Sequence, residues 1–330
     1  VTFAAPLFAS IPSPSISYFD IGPLRIHFYA LCIIAGIIVA VLLTNHRLVK
    51  RGVEPWAVID IALLAVPLAL ICARAYHVLT HWGFYFGDGK NTWNPFQPGS
   101  VWAIWEGGIA IYGALIGGAI GAYLGCRWTG IRFWTFADAL APGLIIAQAM
   151  GRFGNYFNQE LFGLPTTGWW GLQIDSDNSA FPPGLPADTL FLPTFAFEVI
   201  WNLLGAAVIL WAGRRLMLQW GRTFGLYLVW YSAGRILWES IRIDPSDVYL
   251  GLRTNVWAAI LGVIIGLSIL VVQKKRHPGL EPSPYRPGRE WKGKAPVQSQ
   301  DTDDFVDVSE PPATEVSAPD GAATSSATAN

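Results

Sequence analysis

Residues 28–45 read FYALCIIAGIIVAVLLTN, 18 consecutive positions without Asp, Glu, Lys or Arg. Coiled as an α-helix at about 1.5 Å per residue, that stretch nearly crosses a hydrocarbon layer roughly 30 Å thick. Two stretches of 20 residues, 107–126 and 254–273, are free of charge in the same way. Four more apolar stretches, 57–79, 136–155, 194–213 and 224–241, carry one to three ionisable residues each. Backbone groups inside lipid must bond to one another, and these segments are too long and too evenly apolar for barrel strands. The sequence therefore predicts an all-α polytopic membrane protein with seven transmembrane helices.

Composition points the same way. Of 330 residues, 52% are hydrophobic and 14% are Asp, Glu, Lys or Arg, against about 25% charged in ordinary soluble domains. A net charge of -1 supplies no positive field for DNA or RNA, so no nucleic-acid partner is expected. Cys32, Cys72 and Cys126 lie singly in apolar stretches. They lack the spacing of a disulfide framework or a zinc site and read as small buried hydrophobes.

Basic residues in the connections set the expected orientation. Eleven follow the first, third, fifth and seventh stretches: Arg47, Lys50, Arg51, Arg127, Arg132, Arg214, Arg215, Arg222, Lys274, Lys275 and Arg276. The opposite side has five, Arg25, Lys90, Arg152, Arg242 and Arg253. The amino terminus is thus expected outside and the carboxyl terminus in the cytoplasm. No basic region precedes an apolar core in the first 20 residues, so the first helix reads as an uncleaved anchor. From His277 the composition turns to Pro, Ser, Ala, Thr and acidic residues. Residues 277–330 are expected to form a disordered, functionally dispensable cytoplasmic tail on a transmembrane catalytic domain of residues 1–276.

Ionisable side chains at bilayer depth cost several kcal/mol unless paired or hydrated, so their positions carry information about function. Arg74, Glu106, Arg152, Glu160, Glu198, Arg235, Glu239 and Arg242 all fall toward the outer side, while the inner half of the stretches holds Asp60 and Asp138. Tyr231, Arg235 and Glu239 share one helical face at i, i+4 and i+8. Pairing of Arg235 with Glu239 along the helix is the plain structural reading of that spacing. Convergence of eight groups from five helices points instead to a polar cavity, and the arginines among them suit the geometry of a phosphate.

The third stretch carries Gly113, Gly117, Gly121 and Gly125 at every fourth position, a small-residue stripe that lets another helix approach closely. There is no GxSxG elbow, HExxH or P-loop, so serine hydrolase, zinc protease and NTP-driven pump find no support. No metal or other cofactor is implied. A charged cavity between helices is also what a carrier for an anionic solute displays. Against a carrier, the charges favour one leaflet rather than the midplane.

The segment GRFGNYFNQELFG, residues 151–163, resembles the signature of the prolipoprotein diacylglyceryl transferases. Further matches, in the family's order, are IGPLRIHFYAL (21–31), CARAYHVL (72–79), WEGGIAIYGALIGG (105–118), PTFAFE (193–198) and YSAGRILWESIR (231–242). The resemblance implies a seven-helix enzyme of the bacterial inner membrane. It would move the diacylglyceryl group of phosphatidylglycerol to the lipobox cysteine of a prolipoprotein signal peptide and release glycerol phosphate. By the same resemblance Arg152 contacts the lipid headgroup, with Arg235 as the second catalytic arginine. Tyr29, Asn155, Glu160, Gly163, Glu198, Tyr231 and Glu239 fall on substrate-binding positions, Glu160 and Glu239 holding the arginines by pairing.

One departure bears on mechanism. Where many members have His-Gly-Gly, this chain has Tyr112-Gly113-Ala114, so the histidine often assigned as base is absent. A thiol with a pKa of about 8.5 needs only modest help to ionise near arginines. Tyr112, His77 or a neighbouring carboxylate is then expected to accept its proton.

Overall fold

A computed structural model describes residues 10–87 and 92–293 of the chain. Lys90, one of the five basic residues assigned above to the external side, lies outside the described residues. The long helices are α1 (Phe28–Lys50), α2 (Ala57–Thr80), α4 (Ile111–Thr129), α5 (Phe133–Phe157), α6 (Thr194–Arg215), α7 (Arg222–Glu239) and α8 (Thr254–Arg276), and α3 is a short helix at Trp82–Phe86. They coincide with the seven apolar stretches to within a few residues. Among the described residues five, α1, α2, α5, α6 and α8, are long and apolar enough to cross a membrane. The chain is a polytopic helical membrane protein. α4 is glycine-rich and α7 carries Arg222, Arg235 and Glu239, which lowers the hydropathy of both.

The outward faces explain the composition. Ile34, Ile37, Ile38 and Leu42 of α1, Leu63, Val66 and Ile71 of α2, and Leu261, Ile264 and Val271 of α8 are all exposed. In water such a surface far exceeds the few hundred Å² a soluble monomer tolerates, whereas lipid solvates it without penalty. Helix association must then come from close packing, and glycine supplies it. The α4 stripe lies on α2: a Cβ added at Gly121 would stand 2.6 Å from Ala65 Cα, and one at Gly125 2.8 Å from Ile61 Cα. Gly36 and Gly143 bring α1 onto α5, each with a Cβ position 3.0 Å from the opposing backbone. Gly225 and Gly266 do the same for α7 and α8.

Chain direction alternates, so α1, α4, α6 and α8 begin at the end of the bundle where α2, α5 and α7 finish. Three hairpins cover that end: β1–β2 (Tyr18–Ile21 with Leu24–His27), β3–β4 (Pro165–Thr166 with Leu190–Phe191) and β5–β6 (Val248–Tyr249 with Leu252–Arg253). At the opposite end buried Asp138 accepts from the N–H groups of Gly221 (2.8 Å) and Phe224 (2.9 Å) at the start of α7. It accepts from donors that the start of a helix leaves unpaired. Gly221 takes the left-handed conformation, with φ 86°, that this turn requires.

The packed chain does not stop at residue 276. Residues 277–293, which composition assigns to a disordered tail, run across three interhelical loops. Glu281 pairs with Arg51 at 3.2 Å, accepts from the Thr135 hydroxyl at 2.6 Å and from the Trp220 N–H at 3.2 Å, and is buried. Tyr285 is buried too, its hydroxyl accepting from the Glu54 N–H and its carbonyl from Arg132 Nε. The described part of the segment is a clasp. Glu281 and Tyr285 are its buried anchors, and Arg289, which donates to the Trp128 carbonyl, and Trp291, packed against the core, extend the hold.

Candidate active site

The site is assembled where α5, α6, α7 and α8 reach the hairpin-covered end. Arg152 on the last turns of α5 directs Nε to Glu198 Oε2 of α6 at 2.8 Å. The same carboxylate oxygen lies 3.9 Å from Arg235 Nη1 on α7. Arg235 Nη2 meets Glu239 Oε2 at 2.8 Å, one turn along its own helix. Glu239 also receives Arg253 Nε at 3.1 Å, stands 3.6 Å from Arg242 Nη1, and accepts from Asn255 Nδ2 at 3.0 Å. Arg242 grips Asp244 with two bonds of 2.7 and 2.9 Å, and Arg253 adds a third at 3.1 Å. Four guanidinium groups thus alternate with three carboxylates along one connected chain.

The helices hold these groups in register by polar and aromatic locks. Trp201 Nε1 donates to the Trp230 carbonyl and Trp230 Nε1 to the Trp201 carbonyl, at 3.2 and 3.0 Å, with the rings stacked 4.7 Å apart. That reciprocal pair fixes α6 against α7 between Glu198 and Arg235. Glu198 and Glu239 lie deeper than the arginines they hold: Glu239 is 1% exposed, whereas the side chains of Arg152 and Arg235 are 15% and 16% exposed; at the loop end the order reverses, Asp244 being more open than Arg242. The guanidinium edges of Arg152 and Arg235 therefore face outward with their counter-charges behind them. Asp244 sits in the loop beyond α7. Burial disfavours its charge, but the Arg242 fork and Arg253 outweigh that and hold its pKa below the ordinary carboxylate range.

Most residues expected from sequence meet here. Arg152 Nη1 donates to Asn155 Oδ1 (3.1 Å), and Asn155 Nδ2 to Glu160 Oε1 (2.8 Å). Glu160 binds Asn155 and Asn158 rather than an arginine, so its expected pairing is indirect. Gly163 is buried at a crossing of three segments, where a Cβ would stand 2.9 Å from Leu192 Cβ and 3.1 Å from the Ile241 carbonyl. The Tyr29 ring covers Gly154, two residues along α5 from Arg152. Tyr231 stacks on Tyr227, centroids 6.0 Å apart. The Tyr112 hydroxyl donates to Asn255 Oδ1 (3.3 Å), which ties it through that amide to Glu239.

Two of the eight converging charges do not join. Arg74 spends its guanidinium on the carbonyls of Ser100, Val101, Gly107 and Gly108, at 2.6 to 3.1 Å, and so pins a loop. Glu106 accepts from the Gly99 N–H in the same loop. His77 stacks on His81, centroids 4.2 Å apart, beside that loop. Sequence reasoning missed Asp244 and Asn255 and treated Arg253 only as a topogenic charge. Their one signal was position, at the entry to α8 opposite the exit of α7.

An apolar helical shell with an arginine–carboxylate network concentrated at one end defines a multi-pass membrane protein built around a charged terminal site. The chain belongs to the prolipoprotein diacylglyceryl transferase family, whose model matches residues 17–272. It is 59% identical over 301 residues to a phosphatidylglycerol–prolipoprotein diacylglyceryl transferase of Leifsonia xyli subsp. xyli, covering 89% of this chain and 90% of that one. A second transferase of the same description, from Streptomyces coelicolor, is 45% identical over 273 residues, 83% of this chain and 84% of its own length. One from Bifidobacterium adolescentis is 42% identical over 274 residues, 80% of each.

Proposed function

We propose that this chain transfers the diacylglyceryl group of phosphatidylglycerol to the lipobox cysteine thiol of prolipoprotein signal peptides in the bacterial inner membrane, releasing glycerol phosphate. Family membership over residues 17–272 carries the reading, and the arginine network supplies its chemistry. All seven long helices span the bilayer in this reading, with the amino terminus and the site outside and the carboxyl terminus in the cytoplasm. The residues assigned catalytic and binding roles all lie within residues 1–276, and the clasp of residues 277–293 braces the end of the bundle opposite the site.

The reaction is a displacement at carbon. The substrate thiolate attacks the glycerol carbon that bears the phosphate ester, a C–S bond forms, the C–O bond breaks, and the electron pair leaves on the phosphate. Arg152 and Arg235 neutralise the charge that grows on the departing phosphate monoester, which is where preorganised cations contribute most. Glu198 and Glu239 hold them in place at 2.8 Å each. Tyr29, Asn155, Glu160 and Tyr231 orient the headgroup. The protein provides no nucleophile of its own, because the incoming signal peptide brings one. The thiol ionises beside the arginines and its proton passes to a neighbouring carboxylate or to His77; the Tyr112 hydroxyl, whose proton is directed to Asn255 at 3.3 Å, offers its oxygen as a hydrogen-bond acceptor that orients the incoming thiol.

The test is a membrane assay with labelled phosphatidylglycerol and a lipobox peptide. Lipidated peptide and glycerol phosphate are expected in equal amounts. Arg152→Ala should lower turnover at least about a hundredfold, the effect of losing one preorganised charge-stabilising donor. Near-normal turnover of that variant removes Arg152 from its role.

A further inference from the structure

One helical turn inward from the ion pairs lies a second polar layer, of which the mechanism above uses Tyr231 alone. It is reached by stepping four residues along each helix: from Glu198 to Asn202 on α6, from Arg152 to Gln148 on α5, and from Arg235 to Tyr231 on α7. The displacement is about 6 Å at 1.5 Å per residue. Asn202 is 2% exposed, yet its Nδ2 has no hydrogen-bond partner among the described residues. Gln148 donates through Nε2 to the Tyr227 hydroxyl at 3.0 Å, while its Oε1 is buried and unpartnered. Arg235 Nη1, above them, is buried without a hydrogen bond. Further in, Ala141 and Ile145 of α5, Ala206 and Ile209 of α6 and Tyr227 of α7 pack into an apolar cluster.

A buried donor left unmade costs about 1–3 kcal/mol, so this layer holds an unmet demand for an acceptor. We infer that Asn202 is a binding residue for the ester linkage of the donor lipid, its Nδ2 donating to an acyl ester carbonyl while the arginines hold the phosphate. The inference rests on the function proposed above. In a glycerophospholipid the ester carbonyls lie inward of the phosphate by the length of the glycerol unit, a distance of the order of one helical turn. They accept hydrogen bonds and donate none, which matches Asn202 Nδ2 and Arg235 Nη1. Gln148 Oε1, an acceptor, suits a water that bridges to the second ester. The site therefore reads ester-linked lipid against its ether analogue, a selection the phosphate contacts cannot make.

Wild-type protein is assayed with 1,2-diacyl and 1,2-dialkyl phosphatidylglycerol, which differ only in the carbonyls. Transfer from the diacyl lipid should exceed that from the dialkyl lipid about fivefold, the value of a neutral hydrogen bond. Asn202→Leu should reduce the diacyl rate to the dialkyl rate and leave the dialkyl rate unchanged. Equal wild-type rates on the two lipids, which no folding defect can cause, overturn the inference. So does a variant that slows both lipids alike or neither. Retention of each lipid on the purified protein is measured in parallel. If wild type transfers neither lipid, the proposed function fails. Selective retention of the diacyl lipid, lost in Asn202→Leu, then still upholds the subsite, and equal retention rejects it.

Discussion

Replacing Glu239 by Gln tests whether the site is one interlocked unit. The carboxylate is buried and holds Arg235 at 2.8 Å, Arg253 at 3.1 Å, Arg242 at 3.6 Å and the Asn255 amide at 3.0 Å. An amide of the same shape removes the charge and turns a donor toward guanidinium groups. Losing one partner of a buried pair costs about 3–5 kcal/mol. The loss is not equal for the three arginines. Arg242 and Arg253 keep Asp244 at 2.7 and 3.1 Å, whereas Arg235 keeps only Glu198 at 3.9 Å. Arg235 alone is left short of a close partner, so the low end of the range, about 3 kcal/mol, is expected. At roughly 2–4 °C per kcal/mol this lowers the detergent-solubilised Tm by about 6–12 °C. Turnover should fall with it, because Arg235 loses its orientation. A double-mutant cycle with Arg235→Met should return a coupling of about 2 kcal/mol, since the second change then has less left to break. A Tm within about 2 °C of wild type, or a coupling below about 0.5 kcal/mol, refutes the interlocked reading.

Other consequences are equally direct. Gly121→Val should cost about 1–3 kcal/mol by pushing α2 off α4, while Gly118→Ala, whose Cβ would meet Ala69 Cβ at an ordinary 3.7 Å, should be neutral in the same melting assay. Truncation after Gly293 should leave Tm unchanged. Truncation after Arg276 removes the buried Glu281–Arg51 pair and should lower Tm by at least about 5 °C, at about 3 kcal/mol or more. Because Asp244 is depressed in the folded state, its contribution is complete above its unfolded value of about pH 4 and is lost as pH falls through the lower folded value. Protection from hydrogen exchange across residues 242–253, corrected for the intrinsic pH dependence of exchange, should hold at pH 5 and fall only on further acidification, and in Asp244→Asn it should be low at both pH values.

The helices were legible because lipid imposes a simple requirement: a run of about 20 apolar residues, visible directly in the sequence. Arg152, Glu198, Arg235 and Glu239 were legible for the complementary reason, since a charge inside such a run stands out. Arg253 and Asp244 occupy a connecting segment, where charges are ordinary, so only their position between α7 and α8 marked them. Arg74 shows the reverse error. Its place near a helix end matches that of Arg152, but backbone carbonyls 26 to 34 residues away satisfy it, and sequence does not reveal which acceptors a loop will turn inward. The clasp was hidden by averaging: residues 277–330 are polar as a whole, and two anchoring residues, Glu281 and Tyr285, hardly alter that composition.

The network makes little sense as a stabilising device. Four arginines and three carboxylates at the ends of packed helices lose much of their hydration, and well-packed apolar residues of similar volume would serve stability as well or better. What apolar residues cannot provide is a cation already aimed at a leaving group. Placing Glu198 and Glu239 behind Arg152 and Arg235 fixes the guanidinium planes before any lipid arrives, so no reorganisation is needed as charge develops on the phosphate. The same arrangement explains the difference in exposure there, with Glu198 and Glu239 sealed and Arg152 and Arg235 partly open. It also predicts where variation is tolerated. Exchanging Arg152 for Lys keeps the charge but loses the planar fork that binds Glu198 and Asn155 together. Turnover should therefore fall far more than lipid binding does, and an equal fall in both would show that charge alone, without orientation, is what the site requires.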